Sequence, residues 1–465
     1  MIRTRRDAPE AIPHPRGRLP ILGDVTTLNL GSPTQQAARD AARLGPIFER
    51  RVFTQPVVIV SGAELIAEIN DDAAWCKKIA PIFLPLREVA AGLFTSDNDS
   101  PSWRLAHHVL APGFTRPAMA RYHDTMTAAV GELLDEWRAH PRRADIGADM
   151  NSLTLEIIGR SAFGMGFGSF TGADGPHPFV EAMLRGLTWV HRTINLPTAV
   201  QHTVFRRQLM QVEQDIALLH ATVDDVIAAR RREGNADPTD LLGLMLTSVD
   251  PETGERMSPE AIRAECLTML VAGHETSAGA AAFAMWELSR RPEIVARIRA
   301  ELAEHCGPAP LRLDFEQVAR LRYLRRVVDE TLRLYPVAPG YFRRPRQPTM
   351  LADRYPFTPD QWVLVLTLAA HRDPAAWGPD ADRFDPDRWG PDRIRPLGEH
   401  VYKPFGTGAR ACLGRAFALH ELVLTLAHIV SAFDLAPDPT YLRLRVSEQL
   451  TLKPRGLRIR LSPRA

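Results

Sequence analysis

One cysteine stands in a setting suited to chemistry. The stretch Phe405-Gly406-Thr407-Gly408-Ala409-Arg410-Ala411-Cys412-Leu413-Gly414 leads directly into an apolar-periodic segment, Arg415 to Val430, that reads as a helix. A sulfur at that place faces backbone N–H groups and the positive end of a helix, and both favour thiolate. Gly406 and Gly408 let the backbone turn tightly and approach a flat ligand, while Gly414 leaves room for the helix to start. The competing reading is a buried structural cysteine in a tight turn. A second reactive group is Ala272-Gly273-His274-Glu275-Thr276-Ser277. Glycine costs about 1 kcal/mol relative to alanine inside a helix, so a polar, glycine-containing interruption in an apolar helix needs a reason. An acid next to a hydroxyl can relay protons through water where a helix opens. The alternative is a threonine bonded back to its own helix in an ordinary core.

The elements that position these groups follow from caps and breakers. Ser258-Pro259-Glu260 combines a capping hydroxyl, proline at the first helical position and an acid in the first turn, and the helix it opens runs to about Arg290, stopped by Pro292. At 1.5 Å per residue its roughly 30 residues span about 45 Å. Ile47 to Phe53 and Val57 to Val60, separated by Thr54-Gln55-Pro56, form a β-hairpin. Pro56 places it near a sheet edge. From Glu64 onward the chain is mostly helical, so the fold is mainly α with a small β part. Ile79 to Phe94 is apolar but holds two prolines and a glycine, which suits either a loop pinned on the core or a pocket wall. A polar break covers Arg231 to Pro238, and Met1 to Arg18 reads as a disordered or extended arm. Glu330 and Arg333 share a helical face at i, i+3, and Trp103 and His107 do so at i, i+4.

Composition removes several functions. With 465 residues, 45% hydrophobic and 24% charged, the chain can bury a large core. A formal net charge of +2 is too balanced for a nucleic-acid footprint. Cys76, Cys266, Cys306 and Cys412 lack the spacing of a zinc site or a disulfide framework, which fits a reducing cytoplasm. The first 20 residues carry arginines and prolines and no apolar run of a signal peptide or membrane anchor.

The pattern Phe-x-x-Gly-x-Arg-x-Cys-x-Gly at 405–414 resembles the haem-binding loop of the cytochrome P-450 haem-thiolate monooxygenases. The resemblance extends from about Leu19 to Leu461 and includes the Ala-Gly-His-Glu-Thr run at 272–276, Glu330-x-x-Arg333 and Phe384-Asp385-Pro386-Asp387-Arg388. Within the family the chain is similar to the haem domains of self-sufficient bacterial fatty-acid hydroxylases, at Ala91-Gly92-Leu93-Phe94-Thr95-Ser96, Asp250 to Glu255, Phe417 to Glu421 and Leu450 to Pro454. The resemblance implies a single-domain triangular fold over 19–465 after an extended arm at 1–18, with haem b between a long distal helix and a proximal cysteine loop.

It further implies that Cys412 ligates the iron and that Thr276 and Glu275 handle protons to bound dioxygen. Trp103, His107, Arg410 and either Arg343 or Arg344 would meet the haem propionates, with Phe405, Gly406 and Ala272 against the cofactor. Phe94, Leu93, Ala272 and Thr276 would line the pocket, and Glu330, Arg333 and Arg388 would be structural. His107 departs from the arginine common at that place. The implied activity is insertion of one oxygen atom from O2 into a C–H or C=C bond of a hydrophobic small molecule. Since the chain ends at Ala465, electrons are expected from a separate ferredoxin or flavodoxin with its NAD(P)H reductase, and a monomer without a membrane anchor is expected. The Arg and Tyr that grip a fatty-acid carboxylate in those hydroxylases correspond to Gln55 and Ile59, which favours a bulkier, less anionic substrate in secondary metabolism. A fatty-acid hydroxylase, a peroxygenase or rearrangement catalyst, and a haem sensor are the alternatives. Lys403 and Arg415 offer either a docking face for an acidic redox protein or a solvated surface.

Overall fold

The computed structural model describes residues 10–464 except 54, 80–83, 85, 90, 141–144, 171–176, 194–202, 233, 235–239, 308–311 and 396. The described residues group into two compact units, each discontinuous in sequence: 1–78 with 329–412, and 79–328 with 413–465.

The first unit is built on a five-stranded sheet of order β1-β2-β7-β4-β3. Its strands are β1 (Ile47–Val52), β2 (Gln55–Val60), β3 (Trp75–Lys77), β4 (Tyr341–Pro345) and β7 (Val363–Val365), with the small pair β5 (Thr349–Leu351) and β6 (Tyr355–Phe357) alongside in sequence. The expected hairpin is present as the antiparallel β1/β2 pair, with Ile47 opposite Val60 and Val52 opposite Gln55. β2 pairs in parallel with β7 only from Val58 onward, so Pro56 occupies the part of β2 where a missing N–H costs nothing. One sheet face carries Ile47, Val58, Val60, Val363 and Val365 into a core with Ile66, Trp75 and Phe357, the period-2 pattern of a half-buried sheet. Helices α1 (Pro33–Leu44) and α2 (Ala63–Ile69) belong to this unit.

From Glu10 the N-terminal arm is extended and fastened to the sheet: Glu49 N–H donates to the Pro13 carbonyl at 2.8 Å, and Arg18 pairs with Asp24 at 2.9 Å and Glu49 at 2.7 Å. Residues 1–9 of that arm lie outside the described residues.

The second unit is helical. It contains α3 (Pro101–Leu110), α4 (Arg116–Ala139), α5 (Ile146–Phe163), α6 (Pro178–Thr193), α7 (Arg206–Arg232), α8 (Leu241–Thr247), α9 (Pro259–Ser289) and α10 (Pro292–Cys306). Then come α11 (Arg322–Leu334), which carries the boundary at Asp329, and α12 (Arg415–Ala432), with the strand pairs β8 (Phe433–Pro437) with β11 (Ile459–Pro463) and β9 (Val446–Glu448) with β10 (Leu452–Pro454). The cap of α9 is as expected: Ser258 Oγ accepts the Ala261 N–H at 3.2 Å and Pro259 is the first helical residue. The helix runs 31 residues, and every residue from Ser277 to Ser289 is buried. By length and composition α12 alone among the described helices could cross a membrane, yet 67% of it is buried within the protein, as befits a core helix. Residues 80–83, 85 and 90 of the Ile79 to Phe94 segment, and most of the Arg231 to Pro238 break, lie outside the described residues.

α9 does not open at the Gly273 interruption. Its helical hydrogen bonding continues through the segment, and Gly273 serves packing: a Cβ there would come within 2.9 Å of the Ile158 side chain on α5. Thr154 of α5 donates its hydroxyl to the His274 carbonyl at 2.9 Å. The glycine is the clearance that lets two helices approach.

Candidate active site

The cysteine loop is held by its own backbone. Cys412 N–H donates to the Phe405 carbonyl at 2.8 Å, Ala411 N–H to Gly408 at 3.0 Å and Gly406 N–H to Lys403 at 3.1 Å. Gly406 and Gly408 have φ of +67° and +64°, the left-handed region that glycine adopts at least cost. Of the four cysteines, Cys76 and Cys266 are buried, Cys306 is intermediate and Cys412 is exposed. The buried-cysteine reading therefore fails for Cys412.

Asp72, which no sequence pattern singled out, clasps this loop. Its Oδ2 accepts the Ala409 N–H at 2.9 Å, its Oδ1 accepts from Arg343 Nη2 at 2.7 Å, and a Cβ at Gly408 would overlap its carboxylate. Arg343 is buried and also donates to the Ile69 carbonyl at 3.2 Å. Strand alternation puts Arg344 on the opposite face of β4, where it pairs across from Cys76. Arg343, not Arg344, is thus linked to the cysteine loop. Below the loop in sequence, His371 Nε2 accepts the Lys403 N–H at 3.0 Å; burial and the neighbouring Arg333 charge push this imidazole down to about 3, so it is a neutral acceptor. Lys403 itself is half-buried.

Glu330, Arg333 and Arg388 come together as expected. Arg333 is bidentate to Glu330 at 2.7 and 2.8 Å and donates to the carbonyls of His371 at 2.8 Å, Ala381 at 2.6 Å and Arg383 at 3.1 Å. Glu330 also accepts from Trp389 Nε1 at 3.0 Å and the Asp385 N–H at 2.9 Å, with Arg388 Nε 3.6 Å away. Both members of the central pair are fully buried. The charge is satisfied on every side, which is what a buried ion pair requires.

In the second unit, α9 presents its own face. Ala272 is exposed and Thr276 half-buried on a helix otherwise largely covered. Thr276 Oγ1 donates to the Ala272 carbonyl at 2.7 Å, the back-bonded geometry of an intact helix. Glu275 is buried, and its Oε1 accepts from Lys453 Nζ on β10 at 2.7 Å; its Oε2 has no hydrogen-bond partner among the described residues. His274 is buried, held neutral because burial lowers its pKa, and its Nδ1 lies 3.1 Å from the Leu270 carbonyl. Trp103 and His107 stack with ring centroids 5.2 Å apart, so the i, i+4 spacing does bring them together. Phe94 is exposed and Leu93 half-buried, and the Leu93 N–H donates to Glu265 of α9 at 2.8 Å. Arg410 closes a short 3₁₀ turn, Gly408–Arg410, two residues before Cys412.

Comparison with known proteins decides the family. The Cytochrome P450 family model matches residues 13–461. The chain belongs to the cytochrome P450 family. This P450 is 36% identical over 460 residues to a bifunctional cytochrome P450/NADPH–P450 reductase of Bacillus cereus, covering 98% of this chain and 42% of the relative. It is 37% identical over 457 residues to bifunctional cytochrome P450/NADPH–P450 reductase 1 of Bacillus subtilis, covering 97% of this chain and again 42% of the relative. A crystal structure of a cytochrome P450 (CYP102L1) matches with a TM-score of 0.90 and 43% identity, covering 98% of this chain and 100% of that one. The mainly α fold with a small β part is thereby that of a P450, and the chain spans 42% of the length of the curated relatives named here.

The cofactor of this family is a haem iron, and the residues present fit one. The exposed cysteine lies in a loop fixed by its own backbone hydrogen bonds, and a soft thiolate is a ligand suited to iron. The groups that sequence reading missed are Asp72, His371, Lys453 and Glu265. Each meets its partner across a long stretch of chain, and no spacing rule links them.

Proposed function

We propose that this P450 binds haem b through Cys412 and inserts one oxygen atom from O2 into a C–H or C=C bond of a hydrophobic small molecule. The observation that carries the reading is the exposure of Cys412 in a loop fixed by the Phe405 carbonyl and the Asp72 carboxylate. When bound, a haem iron with thiolate ligation supplies the activation of dioxygen. The chain's own residues hold the ligand, meet the propionates and manage protons. By the resemblance Arg410 and Arg343, and likewise Trp103 and His107, would be propionate partners; Arg343 is supported by its link to the loop through Asp72. By the same resemblance Phe405, Gly406 and Ala272 would face the cofactor.

Thr276 and Glu275 carry the proton. The hydroxyl donates to Ala272, which leaves its oxygen lone pairs to accept a hydrogen bond from the water that carries the proton. Glu275 takes up a proton from water at Oε2, the oxygen that Lys453 does not hold, and releases it toward Thr276. Glu330, Arg333 and Arg388 take no part in the chemistry.

Leu93, Phe94, Ala272 and Thr276 line the pocket, and the substrate we favour is bulky and weakly anionic. Gln55 is exposed at the hairpin turn and Ile59 is buried opposite Phe48, so neither offers a cation or hydroxyl to a carboxylate. A long-chain acid is the second reading, favoured by the likeness at 91–96; a tight spectral shift of the haem with plain long-chain acids would establish it. Electrons come from an NAD(P)H-dependent reductase system, as the names of the Bacillus relatives suggest. A cytoplasmic site of action suits four free cysteines.

The test is the difference spectrum of the reduced, carbon-monoxide-bound protein, with Cys412→Ala in parallel. A Soret band at the long-wavelength position of thiolate ligation, lost in the variant, is expected. No haem, or a band typical of histidine ligation, refutes the reading.

A further inference from the structure

Glu265 is a buried acid that the reaction does not use. It lies on α9, is buried, and accepts the backbone N–H of Leu93 through Oε1 at 2.8 Å. The approach is close on the loop side too: a Cβ at Gly92 would come within 2.8 Å of all three carboxyl atoms of Glu265. The loop so held is a compact turn, in which Gly92 N–H donates to Thr95 Oγ1 at 3.1 Å and the N–H groups of Thr95 and Ser96 both donate to the Gly92 carbonyl at 3.0 Å. Arg87 donates to the Thr95 carbonyl at 2.6 Å and pairs with Asp97 at 2.9 Å. These bonds tie the turn to itself and to α9, and its aromatic, Phe94, is 45% exposed.

Helical periodicity fixes what the clasp measures. At 100° per residue, positions 265, 272 and 276 fall within about 40° of one another, on one stripe of α9. At 1.5 Å per residue, Ala272 lies about 10 Å and Thr276 about 16 Å along that stripe from Glu265. A hydrogen bond from a carboxylate to a backbone N–H is charge-assisted, short and directional. Glu265 therefore sets where Leu93 and Phe94 stand along the stripe that bears Ala272 and Thr276.

We propose that Glu265 is a specificity-determining positioning residue, which fixes the Gly92–Ser96 turn against α9 and so sets how large a group fits beside Phe94. The proposal rests on the P450 reading of Ala272 and Thr276 as the oxygen-side face of the pocket. It is tested with two probes of different size, imidazole and 4-phenylimidazole, titrated against the Soret band, and with hydrogen exchange at the Leu93 amide, which needs no haem.

In Glu265→Leu the acceptor is gone. The Leu93 amide should exchange at least about tenfold faster, as expected for loss of a charge-assisted bond, and the ratio of the two dissociation constants should shift by about fivefold or more. Gly92→Ala, which pushes the turn off the carboxylate from the other side, should change both readouts in the same way. Glu265→Gln keeps an acceptor oxygen and should stay within about twofold of the parent. Unchanged exchange and an unchanged ratio in Glu265→Leu and Gly92→Ala overturn the proposal, as does a Glu265→Gln variant that behaves like Glu265→Leu. If imidazole leaves the parent's Soret band unmoved, the haem reading and the pocket role fall together, while exchange at Leu93 still judges the clasp.

Discussion

Replacing Arg333 by methionine removes a fully buried cation from the centre of the first unit and leaves Glu330 behind. Five hydrogen bonds go: two to Glu330 and one each to the carbonyls of His371, Ala381 and Arg383. The stranded carboxylate retains the Trp389 and Asp385 N–H donors, but its remaining cation is Arg388 Nε at 3.6 Å. Breaking a buried pair from one side costs about 3–5 kcal/mol. Arg388→Met is milder, because Arg388 faces Glu330 at the longer distance and its other partners are the Trp377 and Asp380 carbonyls and the part-exposed Asp380 carboxylate; a loss of about 1–3 kcal/mol is expected. The double replacement Glu330→Leu with Arg333→Met should cost less than the sum of the singles by at least about 2 kcal/mol, since no charge is left unpaired. Urea unfolding read by tryptophan fluorescence is local here: Trp389 donates to Glu330 and the Arg333 guanidinium lies 5.0 Å from the Trp377 ring centroid. A midpoint for Arg333→Met no lower than that of Arg388→Met, or a double variant that is simply additive, refutes the reasoning.

Three further perturbations test other parts of the structure. Asp72→Ala frees both Arg343 and the Ala409 N–H, and haem should leave the variant at least about tenfold faster in transfer to apomyoglobin, a loss consistent with two charge-assisted bonds; an unchanged release rate would show that the clasp is idle. Lys453→Met leaves the buried Glu275 carboxylate without its cation, so it should be more damaging to thermal stability than Lys453→Met combined with Glu275→Gln, by differential scanning fluorimetry; equal melting temperatures count against the pair. The Glu421 carboxyl is pushed up to about 8 by burial from a usual value near 4.5. Its folded form binds the proton more tightly than its unfolded form, so its contribution is full below about 4.5 and is lost as pH rises through about 8. Glu421→Gln should flatten the fall in urea midpoint between about pH 6 and about pH 8; an equally steep fall in the variant would assign that slope to other groups.

What was legible in the sequence was local. The cysteine loop, the cap and stop of α9, the Glu330/Arg333 spacing and the first hairpin all declare themselves within a few residues, where periodicity, glycine and proline act directly. The groups that brace the site are not local. Ala409 reaches Asp72 across 337 residues, Lys453 reaches Glu275 across 178 and Leu93 reaches Glu265 across 172. A lone aspartate or lysine reads as solvated surface until the fold supplies its partner. The role of Gly273 was hidden for the same reason: the residue that needs the space, Ile158, lies on another helix. The strand pairs after α12 escaped notice because three to five residues are too few for alternation to register.

The parallel pairing of β2 with β7 has a consequence for synthesis. Val60 meets Val365, so about 300 residues must leave the ribosome between one strand and the next, and at about 5–20 residues per second that takes roughly 15–60 s. Throughout that interval the apolar edge of a two-stranded hairpin waits unpaired, the kind of surface that recruits chaperones or neighbouring nascent chains. The clasp of Asp72 on the cysteine loop closes later still, because Ala409 follows Asp72 by 337 residues; the loop is braced only after β7 has been made, and the yield of folded protein should respond to chaperone supply and growth temperature.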